Sequence, residues 1–182
     1  MEIADYIVAE DRELVRLALA GDDVAFEYLF DRYREAILRL FVQRLGGTDG
    51  ADDLLQETFI KAYDHIDELL SGKIESTKAW LMRIAVNTCK DTLRSSWMRH
   101  IDNRQEIEAL PLSIASCAEE RLALTQAIMA LAPKHREIVL LYYYQDMSLR
   151  ACAQVLGISA PTATRRLQQA QKKLRIQLEE RG

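Results

Sequence analysis

Apolar residues recur at helical spacing along nearly the whole chain, and this periodicity is the feature that most constrains the fold. Runs in which apolar and polar residues alternate between turn signals, as in strands, are hard to find. Residues that interrupt helices are also scarce, because only 7 glycines and 3 prolines occur among 182 residues. We therefore predict an all-α fold. A hydrophobic content of 49% is enough to bury one ordinary core or two small ones.

Neither the N-terminus nor any apolar run indicates a membrane protein. The longest unbroken apolar run, from Ile138 to Tyr144, is far too short to cross a bilayer. The N-terminus is acidic, whereas a secretory signal begins with basic residues. We expect a cytoplasmic protein with no direct membrane insertion.

The cysteines do not indicate a disulfide framework or a metal centre. Cys89, Cys117 and Cys152 are an odd number at unrelated spacings, with no C-x-x-C pair and no histidine at ligand distance. We expect ordinary thiols, no metal site and no cofactor.

Turn and cap residues divide the first part of the chain into four helices. A short helix is expected from a cap at Asp11 to Gly21, and a long one, capped by Asp22 or Asp23, over 24–45. A third helix over 50–63 and a fourth over 77–97 are separated by a polar loop. The expected inner positions are Ala51, Leu54, Leu55, Thr58, Phe59 and Ala62 on the third helix, and Trp80, Leu81, Ile84, Thr88 and Leu93 on the fourth.

A linker is expected over 98–117, where helical periodicity is weak and Pro111 interrupts the chain. This boundary predicts one helical domain over 1–97 and a second over 118–182. The second domain should contain four helices, over 119–131, 133–144, 148–156 and 160–179.

Charge is segregated along the chain, although the net charge is only −4. Nine carboxylates face two arginines within 1–31, and seven face a single lysine within 46–70. The balance reverses to seven Lys or Arg against three acids within 71–104, and to six against two within 159–182. Any one block could be a solvated helix face. Together they favour two separate basic surfaces that can face phosphate.

The pattern over 148–174 predicts a helix-turn-helix. Ser148 can cap its first helix, Gly157 can adopt a left-handed turn, and Ser159 can cap its second helix. Ala153 is small enough to let the two helices cross closely. The alternative is an ordinary helical hairpin with a basic last helix, and a helix-turn-helix alone fits several classes of transcription protein.

The second helix of this motif would enter the major groove with its N-terminal half. Arg and Gln side chains there can make bidentate contacts with guanine and adenine, whereas later cations are better suited to phosphate. The candidate base readers are Thr162, Thr164, Arg165, Gln168 and Gln169, and the candidate phosphate ligands are Arg166, Lys172 and Lys173.

Longer segments resemble proteins of the sigma-70 family. The segment GADDLLQETFIKAY, residues 50–63, resembles the part of region 2.2 that grips the clamp helices of core RNA polymerase. STKAWLMRIAVNTCKDTLR, residues 76–94, resembles the fused regions 2.3 and 2.4. The helix-turn-helix resembles region 4.2, and residues 122–148 resemble region 4.1. Because regions 1.1 and 3 are missing, the resemblance is specifically to the two-domain extracytoplasmic-function group.

This resemblance implies a promoter-reading subunit of RNA polymerase that has no catalysis of its own. Its partners would be the polymerase core, through the clamp helices and the flap, promoter DNA, and an anti-sigma factor, the usual regulator in this group. The residues that dock on the core would be Asp52, Asp53, Leu54, Gln56, Glu57 and Phe59. A solvated acidic helix face and a carboxylate metal site are the alternatives. No further acid or histidine completes a ligand set for the metal.

The resemblance also implies that the loop over 71–77 captures a flipped base of the minus-10 promoter element. Asn87 would bind a base edge there, and Trp80 is expected to be structural support. The minus-10 contacts would be Lys73, Ser76, Thr77, Lys78, Arg83, Asn87, Lys90 and Arg94. The minus-35 contacts would be the candidate readers and phosphate ligands named above, together with Ser159.

Departures from the family pattern affect the expected base preference. The loop glycine is displaced and Thr77 stands where an aromatic residue is common, so the captured base is not predicted. In the last helix, Ala163 replaces a usual Val, and Gln168 and Gln169 stand where a bulky or aromatic residue and an Arg are frequent. The minus-35 preference should therefore differ from that of relatives. The tyrosines at 142–144 are expected to pack in the core instead of stacking on bases.

Two other functional classes make different predictions. A stand-alone regulator, whose first domain senses a ligand or dimerises, would bind duplex DNA without core polymerase, but it leaves the matches to regions 2.2 and 2.4 unexplained. An enzyme would need a nucleophile with a base, a glycine-rich phosphate loop or a metal cluster, and the sequence contains none of these.

Overall fold

The computed structural model describes residues 3–45, 47–71, 74, 76–97 and 118–179, with side chains omitted for 93–97, 118 and 119. All regular structure within these residues is helical, which confirms the predicted fold class. None of the described helices combines the length and apolarity that crossing a bilayer requires. The predicted linker over 98–117, with Cys117, lies outside the described residues.

Contacts divide the described residues into two compact units. The first unit contains 3–41, 50–71, 74 and 76–97, and the second contains 42–45, 47–49 and 118–179. The second unit therefore includes a short segment from the first part of the chain that the predicted domain boundary did not assign to it.

The first unit is built from five helices and a 3₁₀ turn. The helices are α1 (Ile3–Val8), α2 (Asp11–Leu19), α3 (Asp23–Leu45), α4 (Ala51–Asp64) and α5 (Thr77–Trp97), and the 3₁₀ turn is Ile66–Leu70. The last residues of α3, 42–45, belong to the second unit. The predicted second, third and fourth helices correspond to α3, α4 and α5 within one residue at each end. The 3₁₀ turn and α1 were not predicted.

Local backbone signals explain several of these boundaries. Gly21 has φ +93° between α2 and α3, and Gly50 has φ +77° just before α4. Asp22 caps α3, because its Oδ1 accepts the backbone N–H of Ala25 at 3.3 Å. The predicted cap at Asp11 is wrong, since Asp11 is already helical and the residue before it makes no side-chain cap.

Asp11 instead takes part in a tertiary cluster that holds α1. Arg32 on α3 donates to Asp11 Oδ1 at 2.9 Å and to the carbonyl oxygens of Tyr6 and Ile7 at 2.9 and 3.1 Å. The Tyr6 ring stacks on Tyr28, with ring centroids 5.3 Å apart. Arg32 thus satisfies carbonyls at the end of α1 that the six-residue helix cannot satisfy itself. Tertiary contacts, and not helix propensity, explain why α1 forms.

The core of the first unit lies where α4 and α5 pack together and α3 adds aromatic side chains. Trp80, Leu81 and Thr88 of α5 are buried as predicted, and Ile84 is half-buried. The prediction missed the neighbouring buried positions of α5, because this helix is covered on more than one face. These are Met82, Ala85, Val86 and Cys89.

The second unit contains α6 (Ala118–Ala130), α7 (Pro133–Val139), a π-helical segment (Leu140–Tyr144), α8 (Leu149–Leu156) and α9 (Ala160–Glu179). The predicted helix over 133–144 is therefore α7 followed by a widened turn, in which the N–H of Gln145 bonds to the Leu140 carbonyl at 3.1 Å. The tyrosines of this turn differ in exposure: Tyr142 and Tyr144 are half-buried, and Tyr143 is exposed.

The helix-turn-helix prediction is confirmed in its local geometry. Ser148 Oγ accepts the N–H of Ala151 at 3.2 Å and caps α8. Gly157 has φ +64° at the turn, and Ala153 is 4% exposed between the helices. Ser159 Oγ accepts the N–H of Thr162 at 3.4 Å and caps α9.

Gly157→Ala should destabilise the second unit by about 1–2 kcal/mol, because an L side chain is strained in left-handed backbone. Beyond Gly157 and its two chain neighbours, no atom lies within 4 Å of a Cβ placed there, so the cost is conformational and not a clash with packed side chains. Gly157→Asn is the matched control and should cost less, because Asn tolerates this conformation. Urea unfolding measures both, and equal losses would contradict the explanation.

Candidate protein- and nucleic-acid-binding surfaces

The predicted docking residues of α4 differ in their exposure to solvent. Asp52, Asp53 and Gln56 are exposed, and Glu57 is half-buried in an ion pair with Lys61 at 2.7 Å. Leu54 is only 2% exposed and belongs to the core. To contact core polymerase as predicted, the Leu54 side chain would first have to leave the core.

Beside the acidic side of α4, helices α3 and α4 enclose a groove of about 520 Å³, which we call the α3–α4 groove. Its floor is aromatic, because Phe30 and Phe59 meet edge to face with ring centroids 4.1 Å apart. Ile60 stands at the groove with 62% exposure. The rim is polar and is formed by Glu27, Asp31, Arg34 and Gln56.

Sequence reasoning placed only Gln56 and Phe59 of this groove on the docking surface. The groove residues of α3, Glu27, Asp31 and Arg34, were not among the predicted docking residues, because the resemblance to region 2.2 covers α4 alone. Their i, i+4, i+7 spacing was a signal that they share one face of a helix.

On α5, three of the predicted minus-10 residues share one exposed face. Arg83, Asn87 and Lys90 are spaced i, i+4 and i+7, and all three are exposed. Lys78, nearer the start of the helix, is half-buried. Lys73 and the Arg94 side chain lie outside the described residues.

The predicted loop residues at the start of α5 have structural partners. Ser76 Oγ accepts the N–H of Ala79 at 3.2 Å and caps the helix. Thr77 is half-buried and interacts with the hydroxyl of Tyr33, which also bonds to Asp11. Burial and the bond to Asp11 both raise the pKa of Tyr33, so it remains a neutral phenol.

Glu68 connects the core of the first unit to the exposed face of α5 that carries Arg83. Glu68 Oε2, on the 3₁₀ turn, accepts the indole N–H of Trp80 at 3.0 Å and lies 3.3 Å from Arg83 Nη2. Trp80 is 3% exposed, in agreement with its predicted structural role. A buried indole N–H needs a hydrogen-bond acceptor, and Glu68 supplies it. The same carboxylate holds Arg83 on the exposed face of α5.

Helix α9 has one buried stripe and one exposed polar face. Ala163, Leu167 and Ala170 are buried against the rest of the second unit. The exposed face lies opposite and carries Arg165, Gln168, Gln169 and Lys172 at i, i+3, i+4 and i+7. Arg166 is half-buried at its edge.

The three predicted hydroxyl contacts of α9 are engaged within the helix. Ser159 Oγ and Thr162 Oγ1 are 2.8 Å apart at the cap. Thr164 Oγ1 donates to the Ala160 carbonyl at 3.1 Å. DNA contact through these hydroxyls would have to share or replace these bonds, whereas Arg165, Gln168 and Lys172 project from the exposed face.

Gln169 and Lys173 both contact a buried histidine of α7. His135 is 3% exposed, its Nε2 lies 3.3 Å from Gln169 Oε1, and its Nδ1 lies 3.4 Å from Lys173 Nζ. Burial lowers the pKa of His135. The bond to Gln169 opposes this, whereas the charges of Lys173, Lys134 and Arg166 reinforce it.

The described residues contain no group of three or more His, Cys, Asp or Glu side chains that could hold a metal ion. Cys89 and Cys152 are buried, and burial raises the pKa of Cys152 to about 11.

Comparison with known proteins identifies the family. The protein-family model "Sigma-70 region 2" matches residues 29–99, and the family model "Sigma-70, region 4" matches residues 121–174. The RNA polymerase sigma factor NccH of Alcaligenes xylosoxydans xylosoxydans is 30% identical over 173 residues, which cover 90% of this chain and 92% of that protein. This chain belongs to the sigma-70 family.

Other relatives place it in the extracytoplasmic-function (ECF) group. The ECF RNA polymerase sigma factor SigW of Bacillus subtilis is 29% identical, covering 92% of this chain and 96% of the relative. SigL of Mycobacterium tuberculosis is 28% identical, covering 91% and 95%. The predicted family is therefore confirmed, and the chain is an ECF sigma factor, which directs RNA polymerase to promoters.

Two solved structures share the fold of this sigma factor. CnrH, solved in complex with the cytosolic domain of CnrY, has a TM-score of 0.68 at 24% identity and covers 94% of this chain and 99% of its own. RpoE from Bartonella quintana, in complex with the anti-sigma factor NepR, has a TM-score of 0.69 at 22% identity and covers 85% and 96%.

Glu68→Ala should destabilise the first unit by about 1–3 kcal/mol, because it leaves the buried indole N–H of Trp80 without its acceptor. Glu68→Gln is the matched control and should cost less than about 1 kcal/mol, because its amide oxygen can still accept and the exposed pair with Arg83 contributes little. Urea unfolding followed by Trp fluorescence measures both. Equal stability of the two variants would show that the indole does not depend on residue 68.

The second unit should lose stability as pH falls below about 6.5, the ordinary pKa of His. Because the pKa of His135 is lower in the folded state, the unfolded chain binds more protons in that range. The contribution of neutral His135 to stability is complete above pH 6.5, and it is lost as the pH falls towards the pKa of His135 in the folded state. Thermal unfolding between about pH 5 and pH 8 should show this slope, and His135→Leu should reduce it. An identical slope in the variant would assign the effect to other groups.

Proposed function

We propose that this sigma factor docks on core polymerase through the acidic side of α4 and the α3–α4 groove. The exposed face of α5 then contacts the minus-10 element, and the exposed face of α9 contacts the minus-35 element. The protein supplies no catalytic group, needs no cofactor and acts in the cytoplasm.

The observation that carries this proposal is the segregation of surface charge by helix. The exposed carboxylates of α4 lie beside an apolar groove, whereas α5 and α9 expose cations and amides. An acidic surface repels DNA, so Asp52 and Asp53 suit a protein partner that presents cations and an apolar ridge. The faces of α5 and α9 suit phosphate and base edges.

On α5, the three exposed residues have two different roles in DNA binding. Arg83 and Lys90 hold the phosphate backbone, and Asn87 between them can bind a base edge with its amide. Capturing an unpaired base costs a few kcal/mol of stacking energy, which contacts of this kind must offset. The bond from Glu68 orients Arg83 before DNA arrives.

On α9, Arg165 and Gln168 read bases while Lys172 holds phosphate. Arg165 and Gln168 lie nearer the helix N-terminus, which enters the groove first. The engaged hydroxyls of the cap maintain the geometry of this end of the helix.

An anti-sigma factor is the regulator we propose for this protein. RpoE from Bartonella quintana was solved with such a partner. To block polymerase docking, the partner must cover the α3–α4 groove, where Ile60 and the aromatic floor offer apolar surface to a helix.

Asp53→Lys and Glu57→Lys should each reduce run-off transcription with core polymerase by at least about tenfold, because a reversed charge would repel the partner's cations. Glu13→Lys is the control: it makes the same charge change at an exposed position of α2 in the first unit, and it should keep transcription near wild type. Unchanged transcription in both α4 variants would remove this docking surface. Equal losses in all three would indicate a general charge effect instead.

A further inference from the structure

His135 links the core of the second unit to the candidate base-reading helix. It lies on α7, is almost fully buried, and uses both ring nitrogens toward α9. Gln169 and Lys173, its two partners, are one helical turn apart on α9. A buried ring with both nitrogens engaged has one defined orientation, and so do the side chains it holds.

The chemistry of Lys173 settles which nitrogen of His135 carries the proton. An ammonium group can only donate, so Nδ1, 3.4 Å from Lys173 Nζ, must accept. In a neutral imidazole the proton is then on Nε2. That Nε2–H faces Gln169 at 3.3 Å and can be paired only by an acceptor, which is the amide oxygen of Gln169.

The orientation of the Gln169 amide therefore follows from two contacts in series. With Oε1 held by the ring, the NH₂ group on the other side of the same amide is the part left for a ligand. The reverse orientation would place two donors against each other at His135. Burial and the cations at Lys134, Arg166 and Lys173 oppose protonation of the ring, which preserves this arrangement.

We propose that His135 is a positioning residue that presents the NH₂ group of Gln169 to the major groove, so that this sigma factor selects an acceptor-bearing base at one minus-35 position. The inference rests on the proposed contact between α9 and the minus-35 element. His135 itself does not touch DNA.

A fixed donor discriminates between base edges in the major groove. Guanine presents O6 and N7 and thymine presents O4, all of them acceptors, whereas cytosine presents the N4 donor. An unrestrained Gln could rotate its amide and accept from cytosine N4. The held amide cannot do so without leaving the Nε2–H of His135 unpaired in the core. We therefore expect guanine or thymine to be preferred over cytosine where Gln169 faces the base.

The test is run-off transcription by core polymerase with the full-length chain, using promoters in which each minus-35 position carries each base. Gln169→Ala identifies the position that this residue reads. Wild type should prefer guanine or thymine over cytosine there by about fivefold or more. His135→Leu should reduce this preference to less than about twofold while transcription from the other minus-35 variants keeps its ranking. His135→Gln, whose amide can still donate to Gln169, should restore part of it.

Two lysine variants test the tautomer argument without disturbing the core. Lys173→Met removes the ammonium that forces Nδ1 to accept, so the ring and the Gln169 amide can both reverse. It should reduce the preference against cytosine as well as overall transcription. Lys172→Met removes the same charge one residue away, on the exposed face of α9. It should lower transcription uniformly and leave base preference unchanged.

A double variant separates positioning from general stability. In the Gln169→Ala background, His135→Leu should cause no further change of preference, because the residue through which it acts is gone. A uniform loss of transcription from every promoter in His135→Leu, or equal preference in Lys172→Met and Lys173→Met, would overturn the inference. So would a Gln169→Ala variant with wild-type preference at every position. No transcript from wild type on any promoter would overturn the proposed function itself.

Discussion

Burial of a narrow apolar stripe on each helix decides which charges of this sigma factor reach the surface. On α9 the buried stripe of Ala163, Leu167 and Ala170 forces Arg165 and Lys172 to the opposite side. On α4 the same rule buries Leu54 and Leu55 and leaves Asp52 and Asp53 exposed. A chain with a small net negative charge can therefore present separate acidic and basic surfaces, because hydrophobic burial is far stronger than surface repulsion between neighbouring charges.

Buried polar groups connect those surfaces to the two cores. Trp80 is held by Glu68, which also holds Arg83, and His135 holds Gln169 and Lys173. In each case one hydrogen-bonding group lies in the core and its partner extends towards a surface proposed to bind DNA. Such bonds reduce the side-chain freedom that binding would otherwise have to remove. The side chains proposed to face DNA are thus partly ordered before the promoter is bound.

Long, strongly periodic helices with clear caps were predictable from the chain alone. The bounds of α5 and α9 agree with the sequence prediction, and the caps at Ser148 and Ser159 and the turn at Gly157 were identified correctly. The prediction missed α1 and the 3₁₀ turn, because segments this short depend on tertiary contacts such as those of Arg32. The α3 side of the α3–α4 groove was missed for a related reason: a groove exists only between two helices.

The sequence by itself determined the all-α class, the order of the sigma regions, and the polar faces of α4, α5 and α9, because helical periodicity and caps are local properties of the chain. Tertiary structure alone decided that Glu68 and His135 engage residues expected to meet DNA directly. Residue type shows which hydrogen bonds a side chain can make. Only packing shows which of those bonds are already made.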